Sequence, residues 1–186
     1  ALDAAADCPG NVQEIWVAEG TYLPTNPHAG GTNRHKTFLI NYDVKLYGGF
    51  AGTETQRNQR NWNTHPTILS GDLGVTGDMS DNAYHVVWIE GRSSAMELDG
   101  FIITKGKSYF NDPISSFGAG IYNNADHQAS TPTIRNCTIT GNEGGTFSRG
   151  TGMFNRGYFG DASATLENCI FSNNTTPGNS EAAGMY

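Results

Sequence analysis

Positive charge is scarce in this sequence. Eleven lysines and arginines stand against 18 aspartates and glutamates, a formal net charge of −7. Nucleic acids and anionic lipid surfaces are held by clustered Lys and Arg, so neither is expected as a partner. Apolar runs are short as well, none approaching the roughly 20 residues of a membrane helix, and no membrane insertion is expected. Cysteine is limited to Cys8, Cys137 and Cys169, too few for a disulfide framework. No signal peptide is present, but Ala1 is not a natural start, so this says nothing about export.

What is abundant is turn chemistry. The 186 residues include 24 glycines and many Asn and Thr, and only 16% are charged, a composition suited to tightly turning β-structure. The length suffices for one well-buried core and requires no second domain.

The second half repeats itself. Ala119-Gly120-Ile121-Tyr122-Asn123 returns 32 residues later as Thr151-Gly152-Met153-Phe154-Asn155 and begins again as Ala183-Gly184-Met185-Tyr186. Thr133-Ile134-Arg135-Asn136-Cys137 likewise recurs as Thr165-Leu166-Glu167-Asn168-Cys169, and Asn142 as Asn174. A fixed period in this range marks a solenoid, propeller or array.

The spacing inside the unit is diagnostic. In Ile134-Arg135-Asn136-Cys137-Thr138-Ile139 the apolar residues fall three and then two apart, which breaks strict alternation unless the chain bends at Asn136. Leu166, Cys169 and Phe171 repeat this, and so do Leu98, Phe101 and Ile103 around Gly100. Two short strands meeting at a corner, each stacked on its counterpart a turn later, describe a parallel β-helix coil. Asn136 over Asn168 would form a corner ladder, since Asn tolerates left-handed backbone. Tyr122, Phe154 and Tyr186 would stack as an aromatic ladder. Cys137 and Cys169 would lie on neighbouring rungs as reduced thiols, because stacked side chains point the same way and bridge poorly. A leucine-rich repeat fits the opening of the unit. Its usual period is shorter, and the remainder here reads as another strand rather than a helix.

Upstream the rungs are irregular. Leu2 to Ala6 has helix composition and stops at Cys8-Pro9-Gly10. Strand signals follow at Glu14–Ala18, Thr37–Ile40, Val44–Tyr47, Thr67–Ser70, His85–Ile89 and Leu98–Thr104. Leu23 to Lys36 and Gly52 to Pro66 read as excursions, and Gly71 to Asn82 as an acidic loop. The predicted organisation is a single β-helix domain over 1–186, a fragment of something longer. It has irregular rungs over 11–106, regular coils over 118–186 and about five rungs in all.

Several segments together resemble a family of right-handed parallel β-helix surface proteins abundant in Bacteroidota, similar in repeat style to the chlamydial polymorphic outer-membrane proteins. They are Ile15-Trp16-Val17-Ala18-Glu19-Gly20-Thr21-Tyr22, Leu46 through Thr55, Gln59-Arg60-Asn61-Trp62, Thr67 through Asp72, Asp81 through Val87, and Leu98 through Thr104, followed by the Gly-rich repeats with Asn-Cys-Thr-Ile. The resemblance implies an all-β, single-stranded, right-handed parallel β-helix of the pectin-lyase-like kind with a short N-terminal helical segment. It also implies secretion, display at the outer cell surface and further coils downstream. The family has no uniform activity, so no catalytic residue is carried over.

Chemistry is sparse. A β-helix enzyme acting on acidic polysaccharides needs paired carboxylates, or Ca²⁺-binding acids with a basic residue. Glu97 and Asp99 are close in sequence but are read as pointing apart, Asp99 capping the turn beside Gly100. Arg135 and Glu167 share a register and predict an exposed ion pair worth at most ~1 kcal/mol. No cofactor is expected; Asp72, Asp78, Asp81 and Asn82 offer oxygen ligands of the kind Ca²⁺ takes and are the one candidate metal site, but turn formation accounts for most of the same residues. Trp62, in a polar excursion, is the candidate for ligand contact, for instance stacking on a sugar. The leading expectation is a non-enzymatic extracellular module with a structural or adhesive role, as surface layer, fibre or adhesin stalk. Its partners would be further β-helix coils or other copies of itself stacked end to end. The alternative is a polysaccharide-binding or polysaccharide-degrading β-helix, with glycans as ligands.

Overall fold

The computed structural model describes residues 13–28, 31–109, 115–178 and 180–186. The helical segment expected at Leu2 to Ala6, and Cys8, lie outside these residues.

Strands β1 (Glu14–Ala18), β2 (Gly20–Tyr22) and β3 (Phe38–Ile40) make the first coil. β4 (Lys45–Phe50), β5 (Thr67–Ser70) and β6 (Val87–Glu90) make the second, and β7 (Glu97–Asp99), β8 (Phe101–Thr104) and β9 (Ile121–Asp126) the third. β10 (Thr133–Arg135), β11 (Thr138–Thr140) and β12 (Met153–Tyr158) make the fourth. β13 (Thr165–Glu167) and β14 (Ile170–Ser172) open another, in which Met185 bridges Met153. Each strand pairs in parallel with its counterpart one coil away, giving sheets β1-β4-β7-β10-β13, β2-β5-β8-β11-β14 and β3-β6-β9-β12. The chain is thus an all-β parallel solenoid of about four turns. Its coil has three strands: two flank the Asn corner, and the third is the Gly-Ile-Tyr-Asn segment.

The repeat sets the register. Thr133, Ile134 and Arg135 pair with Thr165, Leu166 and Glu167, so identical positions stack. Inward-facing columns run through Leu46, Leu98 and Ile134 on the first sheet, and through Leu69, Ile103 and Ile139 on the second. Ile121 and Met153 close the core from the third sheet. Burying each such side chain contributes about 1.5–3 kcal/mol, so every regular coil brings its own share of core.

The corner between the first two sheets explains the three-then-two spacing. Gly100, Asn136 and Asn168 all take left-handed backbone there, at φ 84, 49 and 51. The turn flips the pleat, so Ile134 and Cys137 both point inward. Asn168 Nδ2 donates to Asn136 Oδ1 at 2.7 Å, and Asn136 Nδ2 donates to Asp99 Oδ1 at 2.8 Å. A second ladder lies deeper. Asn142 is fully buried, and its amide donates to Asn174 Oδ1 (3.0 Å) and Ile103 O (3.2 Å) while its Oδ1 accepts from Gly106 N (2.9 Å).

Cys137 and Cys169 are unpaired thiols whose sulfurs donate to the carbonyls of Leu98 (3.5 Å) and Ile134 (3.4 Å) on the preceding rung. The aromatic ladder is present and longer than the repeat indicates. Trp88, Tyr122, Phe154 and Tyr186 follow one another at centroid separations of 4.4, 5.8 and 5.6 Å. It stands on the outer face of the third sheet, where Phe117 and His85 cover it and form part of a second apolar layer.

Two arginines pin the excursions to the solenoid. From the first, Arg34 donates to the carbonyls of Asn82 (2.7 Å) and Lys107 (2.8 Å) and lies over the Tyr84 ring. From the second, Arg60 reaches the Gly100 corner and pairs with Asp99 at 2.7 Å.

Candidate functional site

The outer face of the first sheet gathers a row of ionisable side chains, because alternation puts Glu14, Tyr47, Glu97, Arg135 and Glu167 opposite the inward Ile and Leu column. They form one continuous chain across successive rungs. Glu14 Oε1 lies 2.8 Å from Arg57 Nη1, which also donates to the Tyr47 hydroxyl at 3.0 Å. That hydroxyl donates to Glu97 Oε2 at 3.1 Å, and Arg135 links Glu97 (3.6 Å) to Glu167 (3.0 Å). Burial, reinforced by the Glu97 carboxylate, pushes the Tyr47 hydroxyl up to about 12. The expected Arg135–Glu167 pair is therefore one link of a longer strap.

One expectation is corrected here. Glu97 and Asp99 are two residues apart on one strand, so alternation places both on the outer face rather than in different directions. Trp16 lies in a strand but outside the core, 38% exposed and stacked on Phe50 at 4.9 Å.

Asp99 does more than cap a turn. Its carboxylate takes both the Arg60 guanidinium and the Asn136 amide, with the Asp99 and Arg60 side chains only 8% and 9% exposed. Arg60 also donates to the carbonyls of Gly48 (3.0 Å) and Asp99 (3.1 Å). Trp62, the ligand-contact candidate, is half-buried with its ring 4.8 Å from this guanidinium. Its backbone is pressed against Gly49, where an added Cβ would come within 2.6 Å of Trp62 N. Trp62 thus forms a wall for Arg60.

In the acidic loop the carboxylates serve separate turns. Asp72 accepts from Gly77 N (3.0 Å), Asp78 from Ser80 N (2.9 Å) and Asp81 from Val75 N (2.8 Å). The backbone N–H of Ser80 holds the Asp78 carboxyl below its ordinary range. Asn82 is buried, and its amide donates to Lys105 O at 2.8 Å. Asp81 Oδ1 and Asn82 Oδ1 are buried without a hydrogen-bond partner. Among the described residues, no three His, Cys, Asp or Glu side chains converge as a metal-ligand group, so Asp72, Asp78 and Asp81 do not form one ligand set.

The two ends differ from the middle. Inside the first coil a mostly apolar cavity of about 340 Å³ is lined by Ile15, Val17, Pro24, Phe38 and Leu46 among others. At the other end β13 and β14 are edge strands. Leu166, Cys169 and Phe171 are only partly buried there, against full burial of Leu98, Ile134 and Ile139 in the same columns. Ile170, Met185 and Tyr186 are 58%, 47% and 50% exposed.

Comparison with protein-family models, with curated proteins and with solved structures finds no match for this chain. What the molecule does must therefore be argued from its own geometry. Sequence reasoning missed Arg34, Arg57, Arg60 and Tyr47. All four act across coils, and the irregular upstream rungs offer no period from which to read their register.

Proposed function

We propose that this chain is a non-enzymatic structural module of an extracellular or cell-surface β-solenoid, a stalk or spacer whose last rung receives a further parallel coil. The observation that carries the reading is the edge formed by β13 and β14. Apolar columns that are sealed in the coils before it stand half-open there, and among the described residues no strand pairs with its outer edges. Edges of this kind recruit more strands unless they are blunted or covered. The ladders are in register for continuation: Asn168, Asn174 and Tyr186 each have a partner on the rung before.

The outer face of the first sheet supports the structural reading over an enzymatic one. Its carboxylates Glu14, Glu97, Asp99 and Glu167 are each bound to an arginine, and they strap rungs together. The extracellular setting rests on the resemblance to Bacteroidota-type β-helix surface proteins.

Appending a second copy of residues 155–186 tests the proposal, since it continues the period. The expected result is a higher thermal midpoint and slower alkylation of Cys169, as the added coil covers the edge. An unchanged midpoint with unchanged Cys169 reactivity would refute it.

A further inference from the structure

We propose that the exposed corner built by His127, Tyr158 and Phe159 is a stacking site for neutral hexopyranose units of a glycan. The inference adds a ligand to the module and stands independently of whether coils stack on its edge.

The corner follows β9 in the third coil and β12 in the fourth, where Tyr158 pairs with Asp126. The turn needs left-handed backbone, and the second coil supplies it with Gly91 at φ 56. The next two coils run their strands two residues further before turning, and the turn falls on His127 (φ 58) and Phe159 (φ 55). Bulky residues disfavour this conformation, and such strain concentrates at functional sites. Phe159 recovers little through packing, since it is 78% exposed, and Tyr158 beside it is 48% exposed.

The rings form an angled platform. Tyr158 and Phe159 lie 4.6 Å apart at 70°, and His127 stands 5.3 Å from Phe159 and 5.9 Å from Tyr158. Polar groups sit at its edge. The Arg156 guanidinium lies 4.9 Å from the Tyr158 ring, donates to Asn124 Oδ1 at 3.1 Å and stands 3.7 Å from Asp126 Oδ2. Asp126 Oδ1 is 2.6 Å from His127 Nδ1.

A pyranose ring has an apolar C–H face and a rim of hydroxyls that both donate and accept. Aromatic faces flanked by a carboxylate and a guanidinium match both surfaces, the usual division of labour in a ligand site. Neutral sugars fit better than uronates, because the Arg156 charge is already answered by Asp126 and the chain carries a net charge of −7. A protein partner fits poorly. Three partly covered rings, each at most about 150–250 Å², stay below the roughly 800 Å² that each partner buries in a standard protein interface.

The test is a titration of the intact chain, by calorimetry and saturation-transfer NMR, with tetrasaccharides of glucose, mannose and galactose and with a tetragalacturonate control. At least one neutral probe is expected to bind in the range of about 0.1–10 mM. Phe159→Gly and Tyr158→Ala should each weaken that binding at least tenfold. Because glycine relieves the left-handed strain, Phe159→Gly should also keep or raise the thermal midpoint, separating lost contact from lost fold. The proposal falls if no neutral probe binds, if only the uronate binds, or if Phe159→Gly leaves binding unchanged. It also falls if the corner instead mediates self-association, seen by sedimentation and abolished by the same substitution.

Discussion

Arg60 Nη2 lies 2.7 Å from Asp99 Oδ2, with both side chains almost sealed from solvent. The contact joins the excursion after β4 to the corner of the following coil. The rings of Tyr47 and Trp62 stand beside the guanidinium.

Removing one partner leaves the other charge buried and unmatched, a loss of about 3–5 kcal/mol. Arg60→Ala and Asp99→Ala should therefore each lower stability by that amount in urea unfolding. The double variant should cost less than the sum of the two. A loss below about 1 kcal/mol for either single variant would show that the pair contributes no more than a surface bridge.

The two asparagine ladders should differ in strength. Asn142 is fully buried and satisfied on both ends of its amide, whereas Asn168 is exposed. Asn142→Ala orphans the buried Gly106 N–H and takes one donor from the Ile103 carbonyl, so a loss of about 1–3 kcal/mol is expected. Asn168→Gly keeps the left-handed turn and should stay within about 1 kcal/mol of the parent. Comparable losses in the two variants would contradict this ranking.

Stability should fall on the alkaline side. Burial pushes the Cys137 thiol from 9.0 up to about 12, and Tyr122 and Tyr47 from 10.0 up to about 12, also through burial first. The folded chain therefore holds these protons where the unfolded chain releases them. Stability is full below about pH 9 and declines as pH rises toward 12. Urea midpoints measured from pH 7 to pH 11 should drop above pH 9, and Cys137 should resist alkylation at pH 8 until the chain unfolds. A flat midpoint, or rapid labelling of Cys137 in the folded state, would contradict this.

Much of the architecture is legible in the sequence because a solenoid repeats its chemistry locally. Ile134, Cys137 and Ile139 give the corner, and Asn136 over Asn168 gives the ladder. The aromatic register Tyr122, Phe154 and Tyr186 is also readable, since each residue meets its own counterpart one period away. Excursion boundaries are legible for the same reason: Pro, Gly and Asn clusters interrupt the strand signals at Leu23 to Lys36 and Gly52 to Pro66.

The sequence by itself determined the period, the parallel stacking and the inward columns, because these follow from strand alternation and from identical residues recurring at fixed distance. Only the tertiary structure decided which outer faces are covered. It placed Trp88 and Tyr122 under a second apolar layer and left Trp16 against Phe50 at the surface. It put Glu97 and Asp99 on one face, and it brought Arg34 and Arg60 onto backbone carbonyls of distant coils. It also exposed Phe159 beside His127 at the corner after β12. The reason is physical: alternation fixes which side of a sheet a residue faces, but only the path of the inserted loops fixes what lies against that side.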